Sequence, residues 1–296
     1  FIPEFAKTTV LVNNAPVPAT RAITLRDLLT HTAGISYGTQ PEVAALYADK
    51  QLGPAAGSGW YTADKTEQTC TTMERLASLP FVAQPGTSFV YGYNTDILGC
   101  VVERASGVPL DEYFRKNITQ PLGMKDTNFF LPREQRARLA AVYATGANGK
   151  IVRSANDAKG QGHYVDGPRK NFAGGAGLLS TAQDYARFLE ALRNGGVLDG
   201  KRILAPRSVA LMTTNQIGDI YRAGMGFGFG FETVESYGAS GLEAPGSFGW
   251  GGAYGTSYRV DPTSGLVVVL MIQLMPNGTD FREKFASVVY QSLLPQ

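Results

Sequence analysis

Two places in the chain gather residues that could do chemistry. The first is Phe89-Val-Tyr91-Gly-Tyr93-Asn-Thr-Asp-Ile-Leu-Gly99, which sets a tyrosine on a glycine-flanked turn just ahead of a helix pattern. A phenol held rigidly there can carry a proton between a nucleophile and a leaving group. The same ring can equally pack under a loop, and 14 tyrosines compete for the role. The second place is Phe248-Gly-Trp250-Gly251-Gly252-Ala253, a glycine pair at the head of an apolar strand, where backbone can approach a ligand with no Cβ in the way. A glycine bulge in an edge strand is the alternative. A nucleophile is what both places lack. No serine of the 296 residues has lysine three positions on, and the only threonine with that spacing is in Thr62-Ala-Asp-Lys65, a polar loop.

Other patterns carry less. Gly34-Ile-Ser36-Tyr-Gly38 fits the Gly-x-Ser-x-Gly elbow of another hydrolase fold, but an elbow follows a strand and opens a helix. Here it follows a helix pattern. The only histidines, His31 and His163, read as a residue fixing the loop after its helix and as a solvated loop residue. No His-x-x-x-His, cysteine cluster or carboxylate pair near histidine suggests a metal. Gly224-Met-Gly-Phe-Gly-Phe-Gly230 has the wrong spacing for a dinucleotide loop and no helix after it. No cofactor is expected.

The elements that must position these residues follow from capping and periodicity. Thr24 with Asp27, and Thr181 with Asp184, form capping boxes that open helices, the first stopped near Gly34 and the second running to about Arg193. Residues 39–68 read as a long, partly helical loop, and Thr71 to Leu79 as a short helix closed by Pro80. An amphipathic helix is expected from Asn94 to Ser106, with Ile97, Leu98, Val101, Val102 and Ala105 on its apolar side. Leu110 to Thr119 and Pro206 to Thr213 read as helices, and 133–170 as a surface hairpin or loop. From Gly224 the texture changes to strands over 226–233, 247–252, 256–261 and 266–274, with a turn at Asp261-Pro-Thr-Ser-Gly265 and a last helix over 280–294. The expectation is an α+β fold, an antiparallel sheet flanked by helices plus a mostly helical subdomain. Residues 1–170 would carry the tyrosine and 171–296 the glycine-pair strand, together as one structural unit.

A length of 296 residues with 44% hydrophobic and 18% charged content supports a large packed core. A net charge of +2 with no basic run argues against nucleic acid or anionic membrane as partner. The longest apolar run, Leu266 to Met275, is too short to span a bilayer. Cys70 and Cys100 read first as two free thiols, with a disulfide between them as the lesser alternative.

Taken in order, several stretches resemble one family. Leu28-Leu29-Thr30-His31-Thr-Ala-Gly34, Tyr91-Gly-Tyr93-Asn, Pro121-Leu-Gly-Met124-Lys-Asp126-Thr127, Gly177-Leu-Leu-Ser180-Thr181-Ala-Gln-Asp184 and Phe248-Gly-Trp250-Gly-Gly-Ala resemble class C β-lactamases, and more closely their relatives, the family VIII carboxylesterases. That resemblance implies a serine hydrolase with a penicillin-binding-protein-like fold and an acyl-enzyme mechanism on short-chain esters. It implies Tyr91 as the catalytic tyrosine, the backbone N–H of Ala253 as an oxyanion donor, and Tyr93, Trp250, Gly251 and Gly252 as substrate-binding residues. The chain departs from the β-lactamase pattern twice: Tyr93 stands where those enzymes have asparagine, and Trp250-Gly251-Gly252 where they have Lys-Thr-Gly. An indole in place of the ammonium suits neutral esters over anionic lactams. The Ser-x-x-Lys pair is expected upstream of Phe1, so this chain alone would be inactive, with a small-molecule ester and its own N-terminal segment as partners. Rival expectations are a non-catalytic binding or scaffolding protein that keeps the fold, and a β-lactamase or D-amino peptidase.

Overall fold

Asn13 and Asn14 both adopt positive φ, 51° and 62°, the conformation of a two-residue hairpin turn. They fold β1 (Thr9–Val12) back on β2 (Ala15–Pro18) in antiparallel register. This hairpin was not among the elements expected in the mostly helical first region; its strands are too short to show a period. The computed structural model describes residues 1–54, 62, 64–146, 149–155 and 163–293. The chain divides into two compact units, Phe1–Arg115 with Gly162–Leu178, and Lys116–Gln161 with Leu179–Gln296.

Among its described residues the first unit holds the hairpin, a 3-10 helix (Pro3–Lys7) and the α-helices α1 (Leu25–Leu29), α2 (Pro41–Asp49), α3 (Thr69–Leu76), α4 (Asn94–Ser106), α5 (Leu110–Phe114) and α6 (His163–Asp166). Part of the expected loop, 55–61 and 63, lies outside the described residues. The capping box at α1 forms as expected: Asp27 N–H donates to Thr24 Oγ1, and the Asp27 carboxylate accepts from the Thr24 amide at 2.8 Å. Arg21 adds a two-pronged ion pair to the same carboxylate, at 2.7 and 2.8 Å. Burial raises the Asp27 pKa, but the bonds from Arg21 and Thr24 outweigh it and hold the group below its ordinary value. α1 ends earlier than Gly34, because His31 itself takes the left-handed conformation at φ 54°.

α4 has the expected bounds and a different buried face. Asn94, Asp96, Ile97, Gly99 and Cys100 are buried, while Ala105 is exposed. The apolar stripe predicted from period alone is rotated because the polar first turn of the helix points into the unit. Ile97 and Cys100 join Val10, Leu28, Ile35, Tyr47, Met73, Leu76 and Phe81 in one core. Cys70 on α3 and Cys100 on α4 form a disulfide, with their Cα atoms 4.8 Å apart, in place of the two free thiols expected. Spacing alone could not reveal it, since α3 and α4 meet only through tertiary packing. His163, expected in a polar loop, opens α6.

The second unit contains β3 (Tyr143–Thr145), β4 (Ile151–Arg153), α7 (Ala182–Arg193), β5 (Val197–Leu198), β6 (Lys201–Arg202), α8 (Pro206–Met212), β7 (Met225–Phe227), β8 (Glu232–Val234), β9 (Phe248–Gly251), β10 (Ser257–Asp261), β11 (Leu266–Leu270) and α9 (Phe281–Gln291). β7 to β11 form one antiparallel sheet in the order β11-β10-β9-β8-β7. The single strand expected over 226–233 is two strands, turned at 228–231. α7 packs on β10 and β11, and α9 on β11. Phe248, Val260 and Phe231 meet Leu189, Leu192 and Val209 in the core between sheet and helices. The neighbouring positions on β8 and β10 carry charge: Glu232 of β8, buried, takes Arg222 at 2.8 Å, Arg259 of β10 at 3.4 Å and the Tyr221 hydroxyl at 2.8 Å. At α7 the cap is half as expected. Thr181 accepts from the Asp184 amide at 3.1 Å, but the Asp184 carboxylate takes the Asp126 amide at 2.7 Å.

The disulfide closes a separation of 30 residues between α3 and α4. Loop-closure entropy for such a length gives about 3–4 kcal/mol. Cys70→Ala/Cys100→Ala is expected to lower the denaturation free energy by that order, and reductant to lower wild type but not the variant. Equal urea midpoints with and without reductant would show that the bridge contributes nothing.

Candidate active site

Tyr91 is presented by a scaffold built from two segments of the first unit. The loop after α1 brings His31, and the turn before α4 brings Val90 to Asn94. The Val90 N–H donates to the His31 carbonyl at 2.8 Å. Asn94 Nδ2 faces three groups at once: His31 Nδ1 at 3.0 Å, the Val90 carbonyl at 3.2 Å and the Ile35 carbonyl at 3.3 Å. Gly92 is required between them, since a Cβ there would overlap the Ile35 carbonyl oxygen. The Tyr91 ring lies 4.7 Å from the His31 ring and 5.5 Å, edge-on, from Tyr37, yet remains 42% exposed. The phenol thus has its ring packed on two buried aromatic side chains and a face open to solvent.

Burial holds His31 neutral, with its pKa pushed down to about 3. It is a structural residue, and its Nδ1 faces Asn94 Nδ2. Tyr93 departs from expectation. It is only 1% exposed, its hydroxyl accepts the Gly53 amide at 2.9 Å, and its ring packs 4.8 Å from Tyr37. The side chain that alternates with Tyr91 points into the core, so Tyr93 does not offer a surface to substrate. Asn94, one position on, is equally buried and spent on the scaffold.

Asp96 was not singled out by the sequence. It is buried, and Oδ1 accepts the Gly175 amide at 3.1 Å. Burial pushes its pKa up to about 7, against the opposing pull of the Gly175 and Asp96 backbone hydrogen bonds. An acid two residues past Asn94 in the first turn of a helix is an ordinary N-terminal preference, so only packing distinguishes it.

The two hydroxyl decoys are closed. Ser36 is fully buried, donates to Gln40 Oε1 and accepts the Gly38 amide at 2.8 Å. Thr62 is buried and donates to Asn171 Oδ1 at 2.7 Å. Neither hydroxyl is available to attack a substrate.

Trp250, Gly251, Gly252 and Ala253 lie in the second unit, at the end of β9 and the turn that leads to β10. Trp250 sits opposite Tyr258 in register and meets Phe227 edge-on at 5.2 Å. The turn is closed by the Gly252 amide on the Thr256 carbonyl at 2.8 Å and the Gly255 amide on the Gly252 carbonyl at 3.1 Å. Ala253 is exposed at its tip, and its N–H has no acceptor among the described residues. Side chains at 251 and 252 would press on Arg282 Nη1, at 3.0 Å, and on Thr256 Oγ1. Among the described residues no group of His, Cys, Asp and Glu could hold a metal ion, and no helix is long and apolar enough to cross a membrane.

An α+β fold with this tyrosine turn and glycine-pair hairpin defines the penicillin-binding-protein class of fold. The beta-lactamase family pattern matches residues 6–291, so the chain belongs to that family. It is similar to Protein Rv1367c of Mycobacterium tuberculosis, 35% identical over 298 residues that cover 93% of this chain and 69% of that protein. It is similar to the esterase EstB of Burkholderia gladioli, 33% identical over 272 residues, 86% of this chain and 66% of EstB. This chain thus spans just under two thirds of EstB. Among solved structures, EstCE1, described as a hydrolase with promiscuous acyltransferase activity, matches with a TM-score of 0.76 at 27% identity, over 97% of this chain and 75% of that one. These likenesses agree with the resemblance to the esterase branch read from the sequence.

Asp96 gives the first unit a pH signature. Its carboxyl ionises near 4 in an unfolded chain and near 7 in the fold. The folded state therefore binds the extra proton between these values, and stability falls as pH rises through that window. Urea denaturation from pH 5 to 7 is expected to show a loss of up to about 1.4 kcal/mol per pH unit from this group. Asp96→Asn, which keeps an oxygen for the Gly175 amide, should remove that slope. The same slope in both proteins would assign the titration to another group.

Proposed function

We propose that these residues serve a serine carboxylesterase acting on short-chain esters by way of an acyl-enzyme. Tyr91 accepts the proton of a serine hydroxyl while passing its own phenolic proton to the lysine amine of a Ser-x-x-Lys pair, as the serine oxygen attacks the ester carbonyl. By resemblance to the family VIII carboxylesterases, the Ala253 N–H would serve as an oxyanion donor, a contribution of about 3 kcal/mol for a well-placed donor. The carbon–oxygen bond to the alcohol breaks, and Tyr91 returns the proton to the departing alkoxide. Water then attacks the acyl-enzyme and releases the acid. Gly251 and Gly252 allow the ester to approach the strand, and Trp250 supplies apolar wall. Tyr93, buried in the core, has no part in binding.

The nucleophile and its base are a Ser-x-x-Lys pair that these 296 residues do not contain, so the chain by itself has binding and proton-transfer parts without the attacking group. The single observation that carries the reading is the half-exposed Tyr91 phenol fixed on a buried neutral histidine. Similarity to EstB, named an esterase, and to EstCE1, named a hydrolase with acyltransferase activity, supports esters as the substrate class.

The test is hydrolysis of p-nitrophenyl butyrate. The 296-residue chain alone is expected to give no turnover above buffer. In a protein that carries Ser-x-x-Lys together with these residues, Tyr91→Phe is expected to lower kcat/KM roughly 10²-fold or more, mostly in kcat. Unchanged turnover in that variant would remove Tyr91 from the mechanism.

A further inference from the structure

The chain-wide charge of +2 hides an uneven stretch in the second unit. Between Glu134 and Asp157 there is no acidic residue, while Arg136, Arg138, Lys150 and Arg153 all fall inside those bounds. The even balance that argues against an anionic membrane for the whole chain does not hold there. The β3–β4 hairpin lies in this stretch, and its root is anchored. The Tyr143 N–H donates to the Gln273 carbonyl and the Met275 N–H to the Tyr143 carbonyl, both at 2.8 Å, while Val142 and Leu274 are buried.

Beyond that root the hairpin is bare. Tyr143 is 41% exposed, Ile151 61% and Val152 48%. Thr145 pairs with Ile151 and Ala144 with Val152, so Ile151 and Val152 stand on opposite faces of the two-stranded ribbon. Both faces are open to solvent, an unfavourable place for two β-branched apolar side chains. A protein groove would cover one face and leave the other wet; an apolar medium takes both. Lys150 and Arg153 flank the apolar pair in sequence and are exposed with Arg136, whereas Arg138 is paired with Asp126.

We propose that the β3–β4 hairpin docks the protein on anionic lipid bilayers. Ile151 and Val152 enter the boundary between headgroups and acyl chains, Lys150 and Arg153 meet the lipid phosphates, and Tyr143 sits at the headgroup level that suits its amphipathic ring. Nucleic acid, the other polyanion, rewards cations and stacking rings and offers little to bare aliphatic groups. No crossing of the bilayer is implied: each strand has three residues, where a spanning strand needs about 9–11. The proposal goes beyond the esterase reading and does not rest on it, since it concerns where the protein sits and not what it cleaves.

The test is sedimentation of the 296-residue chain with vesicles of phosphatidylcholine alone, or of phosphatidylcholine equimolar with phosphatidylglycerol, at low salt. Partition to the anionic vesicles is expected to be about tenfold stronger or more, and to weaken as salt is added. Lys150→Gln/Arg153→Gln should weaken it roughly 25-fold, about fivefold for each cation near the surface. Ile151→Ser/Val152→Ser keeps every charge and should still weaken it about tenfold or more. All four positions are exposed, and equal urea midpoints check that the variants remain folded. Val152→Trp adds a direct reading: brominated phosphatidylcholine mixed with phosphatidylglycerol should quench its emission more than that of wild type. Equal partition to the two kinds of vesicle, no partition to either, or full anionic binding in Ile151→Ser/Val152→Ser would overturn the proposal. So would broadening of the Ile151 and Val152 amide signals with protein concentration in the absence of lipid, which would assign the hairpin to a second copy of the chain.

Discussion

The first unit depends on one carboxamide. Asn94 Nδ2 faces two main-chain carbonyls and one imidazole nitrogen, and by doing so fuses the loop after α1 to the turn before α4. Carbonyl oxygens can only accept, so the amide nitrogen, not its oxygen, must face them. The His31 nitrogen in the same fan must then also accept, which makes Nδ1 the unprotonated nitrogen and leaves the hydrogen on Nε2. Burial forbids a second proton. A neutral, fixed imidazole is therefore a consequence of the backbone geometry around it, and Tyr91 rests against its face. Any residue larger than glycine at 92 would drive the two segments apart.

The second unit solves a different problem with the same means, backbone brought close to a polar group. Its sheet buries Phe248 and Val260 under α7 while the alternate positions pair Glu232 with arginines, so the strands tolerate charge on one side only because every carboxylate oxygen there is engaged. At the end of β9 the alternation stops. Gly251 and Gly252 remove side chains from the turn and admit Arg282 from α9.

Much of the secondary structure was legible in the sequence. The Thr24–Asp27 box, the bounds of α4 and the turn after Asp261 follow from local hydrogen-bonding chemistry, and all appear where it puts them. What could not be read depends on contacts between distant segments. The side chain of Tyr93 is indistinguishable in sequence from one facing solvent, and its burial is decided by Gly53, 40 residues earlier. The Cys70–Cys100 bridge, the carboxyl of Asp96 under Gly175 and the guanidinium of Arg282 at Gly252 share that origin. Hairpins β1–β2 and β7–β8 were missed because three- and four-residue strands carry no period to detect. Of the candidate site, Tyr91 and the glycine pair were picked out by glycine spacing together with the family resemblance, while the contacts that hold them were not legible.

The central claim is that His31 is a permanently neutral support with its hydrogen on Nε2. Two-bond 1H–15N NMR of the imidazole across pH 4.5 to 8 tests this directly, with His163 as an internal comparison. The account predicts that the His31 Nδ1 shift stays at the value of an unprotonated nitrogen throughout, and that Nε2 stays protonated. Titration of His31 near its ordinary value of about 6.5, or a proton found on Nδ1, would contradict the scaffold on which Tyr91 is placed.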